Sequence, residues 1–233
     1  MTLQTDDFLL PGEPPVRVSV RQLAGGRRIS LRVDRIGGHV SMTVPRHVDI
    51  DDARRFALGK RDWIDSQIRE AVKCRFPLFG DSFQLEGRQF EIRKADGDRV
   101  RCRGSLLLAH CDVTELPIVL GEFCKSLALE RLLAATRHYA DMLSLPTPGI
   151  RLRDPRSRWG SCSSGNRLMF SWRLIMAPPA VLDYVAAHEV SHLVELNHSS
   201  SFWQIVDRLC PDRQAHRKWL KDNGTLLHQY ILV

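Results

Sequence analysis

The spacing of apolar residues changes period along the chain, and this change constrains the fold more than any other feature of the sequence. Early on, Val16, Val18 and Val20 alternate with polar residues, and the same alternation recurs over residues 29–33 and 40–44. A period of two predicts half-buried strands. Glycine-rich turns separate the three runs, so we expect an antiparallel β meander.

Two later stretches have the helical period. Residues 51–73 predict one helix, and residues 115–145 predict a long amphipathic helix. Short strand patterns lie between them, including a hairpin predicted about Gly87. Candidate N-caps for the first helix are Asp49, Asp51 and Asp52.

The fold class predicted from these patterns is α+β. Residues 1–115 form a β-rich accessory region with one helix, and residues 116–233 form a helical region with a small sheet. Within the second region, residues 147–178 suggest strand, turn and strand, and a proline pair then starts a helix over 179–196. The boundary near residue 115 rests on the change of pattern.

Composition points to a basic protein of the cytoplasm. The formal net charge is +7, and six cysteines are scattered without a C-x-x-C pair, which suits reduced thiols. The opening residues have no basic leader region and no window is apolar enough to cross a membrane, so we expect neither export nor membrane spanning. The arginine excess would attract nucleic acid or nucleotides. Charge alone does not distinguish such binding from a solvated basic face.

The stretch HEVSHLVELNH, residues 188–198, carries the chemistry. His188 and His192 are four residues apart, so on a helix they share one face and can bind a single ion. Glu189 lies beside that face and can reach a metal-bound water without being a ligand. Two such imidazoles with an adjacent glutamate indicate a catalytic zinc site.

A catalytic zinc needs a third protein ligand. His198 is the local candidate, provided that the helix ends and the chain turns back. Asn197 can take the left-handed conformation that such a turn uses. Glu195 and Asp207 are the alternative third ligands.

Residues 157–203 resemble the YgjP-like metallopeptidases, which are related to the SprT and WLM zinc proteases. The resemblance is looser at RRISLRV and GKRDWI in the first half. It implies a zincin-like core of helices with a small sheet, zinc ligands at His188, His192 and His198, and Glu189 as the catalytic base. A metzincin would have glycine at Glu195 and a later methionine turn, and neither is present.

The predicted function is therefore a zinc-dependent metallopeptidase that acts on proteins or peptides. Glu189 would take a proton from the metal-bound water and pass it to the leaving amine. Residues 166–175 suit an edge to which a peptide adds as a strand, and their pattern suits a plain core strand equally well. Candidate oxyanion donors are Arg158, Arg173 and Tyr184.

An alternative function is hydrolysis of nucleotides at their phosphate anhydrides. Zinc serves that chemistry too, and arginines crowd the segment that leads to the metal helix. The chain lacks a P-loop, which counts against this alternative. Cys162, in a turn beside the motif, is interpreted as structural rather than as a ligand or nucleophile. The crowded arginines are Arg151, Arg153, Arg156, Arg158, Arg167 and Arg173.

Overall fold

The computed structural model describes residues 7–233, and its chain forms two compact units that divide between Cys74 and Arg75. Residues 1–6, which begin the opening segment used to argue against export, lie outside the described part. The division differs from the boundary predicted near residue 115. The reason is that Ile92 and Leu107 belong to the same hydrophobic core as the long helix that begins at Leu116.

The first unit contains a four-stranded sheet of order β1-β2-β4-β3. The predicted alternation is confirmed, because Val18, Val20 and Met42 are buried on one face. The predicted antiparallel meander is wrong, because β2 and β4 pair in parallel and join two antiparallel pairs. The strands are β1 (Phe8–Leu10), β2 (Val16–Leu23), β3 (Ser30–Val33) and β4 (Val40–Pro45).

Two helices cover the buried face of this sheet, where a single helix over 51–73 was predicted. They are α1 (Ile50–Leu58) and α2 (Arg61–Glu70). Gly59 separates them, and glycine favours an interruption because it weakens a helix interior. Asp49 is the N-cap of α1, since its side chain accepts the N–H of Asp51 at 2.8 Å.

The second unit begins with another four-stranded sheet, of order β5-β6-β8-β7. Its pairing repeats that of the first sheet, with a parallel central pair between two antiparallel pairs. The hairpin predicted about Gly87 is confirmed, because Glu86 and Gly87 both have positive φ, as a tight hairpin turn requires. The strands are β5 (Ser82–Leu85), β6 (Arg88–Lys94), β7 (Val100–Arg103) and β8 (Leu106–Ala109).

The rest of the second unit is helical around a three-stranded sheet of order β10-β11-β9. The α+β class is confirmed. No helix within residues 7–233 is long and apolar enough to cross a membrane. The helices are α3 (Leu116–Met142), α4 (Pro179–Ser191), α5 (Ser200–Leu209) and α6 (Arg213–Asn223), and the strands are β9 (Ile150–Arg153), β10 (Gly160–Cys162) and β11 (Leu168–Ser171).

Candidate metal centre

Helix α4 places the candidate site inside the second core. Pro179 occupies its first turn, where the missing N–H costs nothing. Val181, Val185 and Ala186 are buried, so the helix is fixed by packing over most of its surface. His188 and His192 therefore project from a rigid element, which suits a site that must hold a fixed geometry.

The helix ends earlier than predicted, at Ser191, and His192 is its C-cap. The Nδ1 atom of His192 lies 3.0 Å from the backbone carbonyl of Glu195, in the tight turns that follow the helix. Asn197 is not among the non-glycine residues of positive φ within the described chain, so the predicted left-handed turn is wrong. The bond to the carbonyl fixes the ring of His192 and leaves Nε2 for a ligand.

Three imidazoles converge at the end of α4. One ring nitrogen from each of His188, His192 and His198 lies within 4.8 Å of the others. The Nε2 atoms of His188 and His198 are 3.2 Å apart. Two nitrogens on one tetrahedral zinc are separated by about 3.3 Å, given bonds of about 2.05 Å. The spacing of His188 and His198 is therefore that of two ligands on one tetrahedral zinc.

The two alternative ligands lie outside this group. The carboxylate of Glu195 accepts a hydrogen bond from Asn197 at 2.8 Å. The carboxylate of Asp207 forms an ion pair with Arg213. Both acids are engaged elsewhere, and the histidines are the group that could hold an ion.

Helix α5 supplies an aromatic support for the three rings. Phe202 is fully buried, and its ring centroid lies 4.9 Å from that of His188, 4.4 Å from that of His192 and 4.8 Å from that of His198. Trp203 stacks on His198 at 5.5 Å. Through these contacts both residues act as packing groups that hold the third histidine.

Burial favours the neutral form of the two helix histidines, His188 and His192. Burial lowers the pKa of His188 to about 3, and the neighbouring histidines and arginines add to that effect. Burial also lowers the pKa of His192. A neutral imidazole has the lone pair that a metal requires.

Glu189 lies buried beside the histidines and is only 5% exposed. Its Oε2 atom has no hydrogen-bond partner in the protein. Burial raises the pKa of Glu189 to about 8, which the charge of Arg158 opposes. Its other oxygen packs over Gly160, where a Cβ would lie only 2.5 Å from Oε1.

Strand β10 forms the edge of the sheet beside this carboxylate. The N–H of Ser171 donates to Trp159 at 2.8 Å, and the N–H of Ser163 donates to Arg167 at 3.0 Å. In an antiparallel pair the alternate residues Gly160 and Cys162 therefore direct N–H and C=O to the open side. The substrate edge predicted at residues 166–175 is wrong, because β11 lies between β10 and β9.

Cys162 lies on the same face of the sheet as Gly160 and packs against the core. Its sulfur is 3.5 Å from the carbonyl of Ser163. Burial raises the pKa of its thiol, and the charge of Glu189 raises it further. A raised pKa is the reverse of what a nucleophile or ligand needs, which supports a structural role.

A cavity of about 310 Å³ opens next to His188 and Glu189. Trp159, Tyr184 and Leu220 form apolar walls, and two cations from α6 also line the cavity. Sequence reasoning missed α6, because nothing near the motif indicates that a helix some thirty residues later returns to it. The two cations are Arg217 and Lys221.

The six arginines before the metal helix do not form one cluster. Arg173 is buried, and Arg151, Arg153 and Arg167 line a groove with Ser161 and Met169 on the outer face of the sheet. Of the six, Arg158 is the one whose charge acts on Glu189. The crowding of six arginines in the sequence therefore does not produce one cluster at the metal site.

Arg173 is a structural residue rather than an oxyanion donor. Its guanidinium binds Asp154 at 2.7 and 2.9 Å and the carbonyl oxygens of Leu227 and Tyr230 at 3.0 and 3.1 Å. These bonds occupy the donors and join the 3-10 turn that follows β11 to the C-terminal segment. Arg158 and Tyr184 remain as candidate donors.

We expect Arg173→Met to lower the free energy of unfolding by roughly 2–5 kcal/mol, because two buried carbonyls would lose their donor. Urea unfolding followed by circular dichroism measures this change. Arg153→Met is the matched control, since Arg153 is exposed and should change stability by no more than about 0.5 kcal/mol. Equal midpoints for both variants would contradict the assignment.

Known proteins resemble this chain in two comparisons. The family model described as YgjP-like, metallopeptidase domain, matches residues 27–223. Among solved structures, the metallopeptidase zymogen of Pyrococcus abyssi abylysin matches with 22% identity and a TM-score of 0.36, over 44% of this chain and 99% of that one. No curated protein matches the chain.

Proposed function

Because this chain belongs to the YgjP-like metallopeptidase family, we propose that it is a zinc-dependent peptidase whose metal ligands are His188, His192 and His198. Glu189 is the proposed general base. One observation carries the proposal: three imidazoles converge beside a buried carboxylate oxygen that has no partner in the protein. A buried polar atom without a partner is rare and points to a group that binds there.

The residues fit zinc. The distance between Nε2 of His188 and Nε2 of His198 matches a tetrahedral site, and three protein ligands leave a fourth position for substrate. The carbonyl of Glu195 orients His192, as outer partners of metal-bound histidines do. Imidazole ligands also suit cobalt or nickel, so metal analysis must accompany the assays.

The proposed chemistry divides between the metal and the protein. Zinc, when bound, acidifies a water and polarises the scissile carbonyl. Oε2 of Glu189 accepts the proton of the attacking water and later delivers it to the leaving amine. Tyr184 or Arg158 donates to the oxygen on which negative charge develops. The apolar walls of the cavity exclude competing water.

Strand β10 is the proposed binding edge for the peptide. Gly160 and Cys162 present backbone donors and acceptors to its open side, beside Glu189. An extended peptide would bond to this edge as another strand. Alternate side chains of the substrate would then point toward α4 and the cavity.

A second candidate function is hydrolysis of phosphate anhydrides in nucleotides. The observation that favours it is the charge around the cavity, where Arg217 and Lys221 line the space next to Glu189 and Arg158 acts on the same carboxylate. Such cations could bind phosphate oxygens. This candidate makes no use of the open backbone groups of β10.

The Cys162→Pro variant separates the two candidates. Proline removes one outward N–H from an edge strand, where it is tolerated. If peptides bind there, the loss of one hydrogen bond lowers kcat/KM for an unfolded protein substrate about three- to tenfold relative to Cys162→Ala, which loses the same thiol but keeps the N–H, at unchanged metal content. Nucleoside triphosphates are assayed in parallel with both proteins. Nucleotide hydrolysis without proteolysis, equal in both, would establish the second candidate.

A location in the cytoplasm is also proposed. All six cysteines are free thiols in the structure, and Cys111, Cys124 and Cys210 are buried. Reduced cysteines suit a compartment that keeps thiols reduced.

A further inference from the structure

The outer face of the first sheet is polar and basic. Residues that alternate with the buried valines point away from α1 and α2, and they form two rows across the strands. In one row Ser19 pairs with Ser41 and Ser41 with Arg32. In the other row the paired residues are Arg21, Thr43 and Ser30.

The charge of the first unit is segregated between sheet and helices. Residues 15–46, which form β2 to β4, contain seven arginines and one acid, Asp34. Residues 47–74, which form the helices, contain six basic and six acidic residues. The net charge is therefore +6 on the sheet segment and zero on the helical segment.

Most of these arginines have no ion pair. Arg17 pairs with Asp7 at 3.0 Å. Across residues 7–233 the structure shows no ion pair for five exposed arginines of the sheet segment. These five are Arg21, Arg27, Arg28, Arg32 and Arg46.

These arginines flank a strip of hydroxyl side chains, which consists of Ser41 and Thr43. Ser41 and Thr43 lie on the central strand β4, with Arg21 on one side and Arg32 on the other. Arg27 and Arg28 lie in the loop after β2, and the N–H of Arg46 bonds to Leu23 at the same end of the sheet. Small hydroxyl side chains permit a close approach, and they donate hydrogen bonds to phosphate oxygens.

The related sheet of the second unit shows that this surface does not follow from the topology. There the outward residues include Glu91, which forms an ion pair with Arg93, and their partners on β8 are Leu106 and Leu108. That face is mixed in charge and partly apolar. The hydroxyl and arginine rows are specific to the first sheet.

We propose that the outer face of the first sheet binds the sugar-phosphate backbone of double-stranded nucleic acid. The two rows contain no aromatic side chain on which an unpaired base could stack, which favours a duplex over a single strand. Contacts made only to phosphates do not read sequence. This function is additional to the hydrolysis proposed above and does not depend on it.

The test is fluorescence anisotropy of short labelled DNA and RNA duplexes with the full, metal-loaded chain, between about 50 and 200 mM salt. We expect binding that weakens with salt. In Arg21→Gln/Arg32→Gln the Kd rises on the order of tenfold and the slope of log K against log salt falls by about 2, because two phosphate contacts are lost. Comparison of the two duplexes shows whether DNA or RNA is preferred.

Arg54→Gln/Arg55→Gln is the matched control, because it removes the same charge from helix α1 of the same unit. It should bind as the unaltered chain does, and all variants should keep the same melting temperature. Ser41→Glu, a single change at the centre of the strip, should abolish binding. Equal weakening in both double variants, tighter binding of a single strand or of polyglutamate, or no binding to either duplex would overturn the proposal.

Discussion

Replacing Glu189 by glutamine is expected to lower kcat by a factor on the order of 10²–10⁴, which is the usual contribution of a positioned general base. The amide has almost the shape of the carboxylate but cannot accept the proton of the attacking water. Because Glu189 is not one of the converging histidines, the metal should stay bound. The measurement is steady-state hydrolysis with the metal content of each preparation determined by elemental analysis.

Glu195→Gln is the matched control for this experiment. It makes the same change from carboxyl to amide in the same segment, but its side chain bonds to Asn197 and lies outside the ligand group. We expect nearly unchanged activity, which would also exclude this carboxylate as a metal ligand. Full activity in Glu189→Gln, or loss of metal from it, would refute the assignment of Glu189 as the base.

Adding one methyl group at Gly160 should reduce activity about a hundredfold. The new Cβ would lie 2.5 Å from Oε1, 2.6 Å from Cγ and 2.7 Å from Cδ of Glu189. Glu189 is buried, so its carboxylate cannot avoid this contact without leaving its position. The imidazoles are untouched, and metal affinity should therefore be retained.

Gly165→Ala provides the comparison for Gly160→Ala, because its nearest neighbour is Ser163 Oγ at 4.0 Å. Both variants are assayed for kcat, metal content and melting temperature. Only Gly160→Ala should lose activity. Normal turnover by this variant would show that Glu189 does not need the position seen in the structure.

The histidine cluster could be predicted because its information is local. Four-residue spacing on a helix places His188 and His192 together, and a short return of the chain brings His198 to them. The backbone conformation between His192 and His198 could not be predicted. The imidazole Nδ1 of His192 bonds to the backbone carbonyl of Glu195 in the turns after the helix, and Asn197 needs no unusual conformation.

Gly160 and the cations of α6 could not be found from the sequence. Their roles arise from long-range packing, which brings β10 and α6 to the cavity beside Glu189. A glycine in a turn-rich segment does not reveal that another residue's side chain fills the space where a Cβ would lie. The three-strand order of the sheet, which makes β10 the edge, is likewise a tertiary property.

The fold was predictable at the level of strands and helices but not of their pairing. Alternating valines define which residues of β2 and β4 are buried, yet the same alternation suits parallel and antiparallel neighbours. Gly59 is a weak helix former and so hints at an interruption. The apolar period nevertheless continues across it and predicts one helix. The two four-stranded sheets share a pairing pattern, but the sequence contains no internal repeat from which this similarity could be predicted.

The phenyl ring of Phe202 under all three imidazoles has a consequence for how the protein acquires its ion. Where packing already holds the ligands in place, metal binding orders little of the chain. Small domains that fold only around zinc behave differently. The apoprotein would then be a stable, inactive reserve. Metal supply alone, without new synthesis or refolding, would set how many molecules are active.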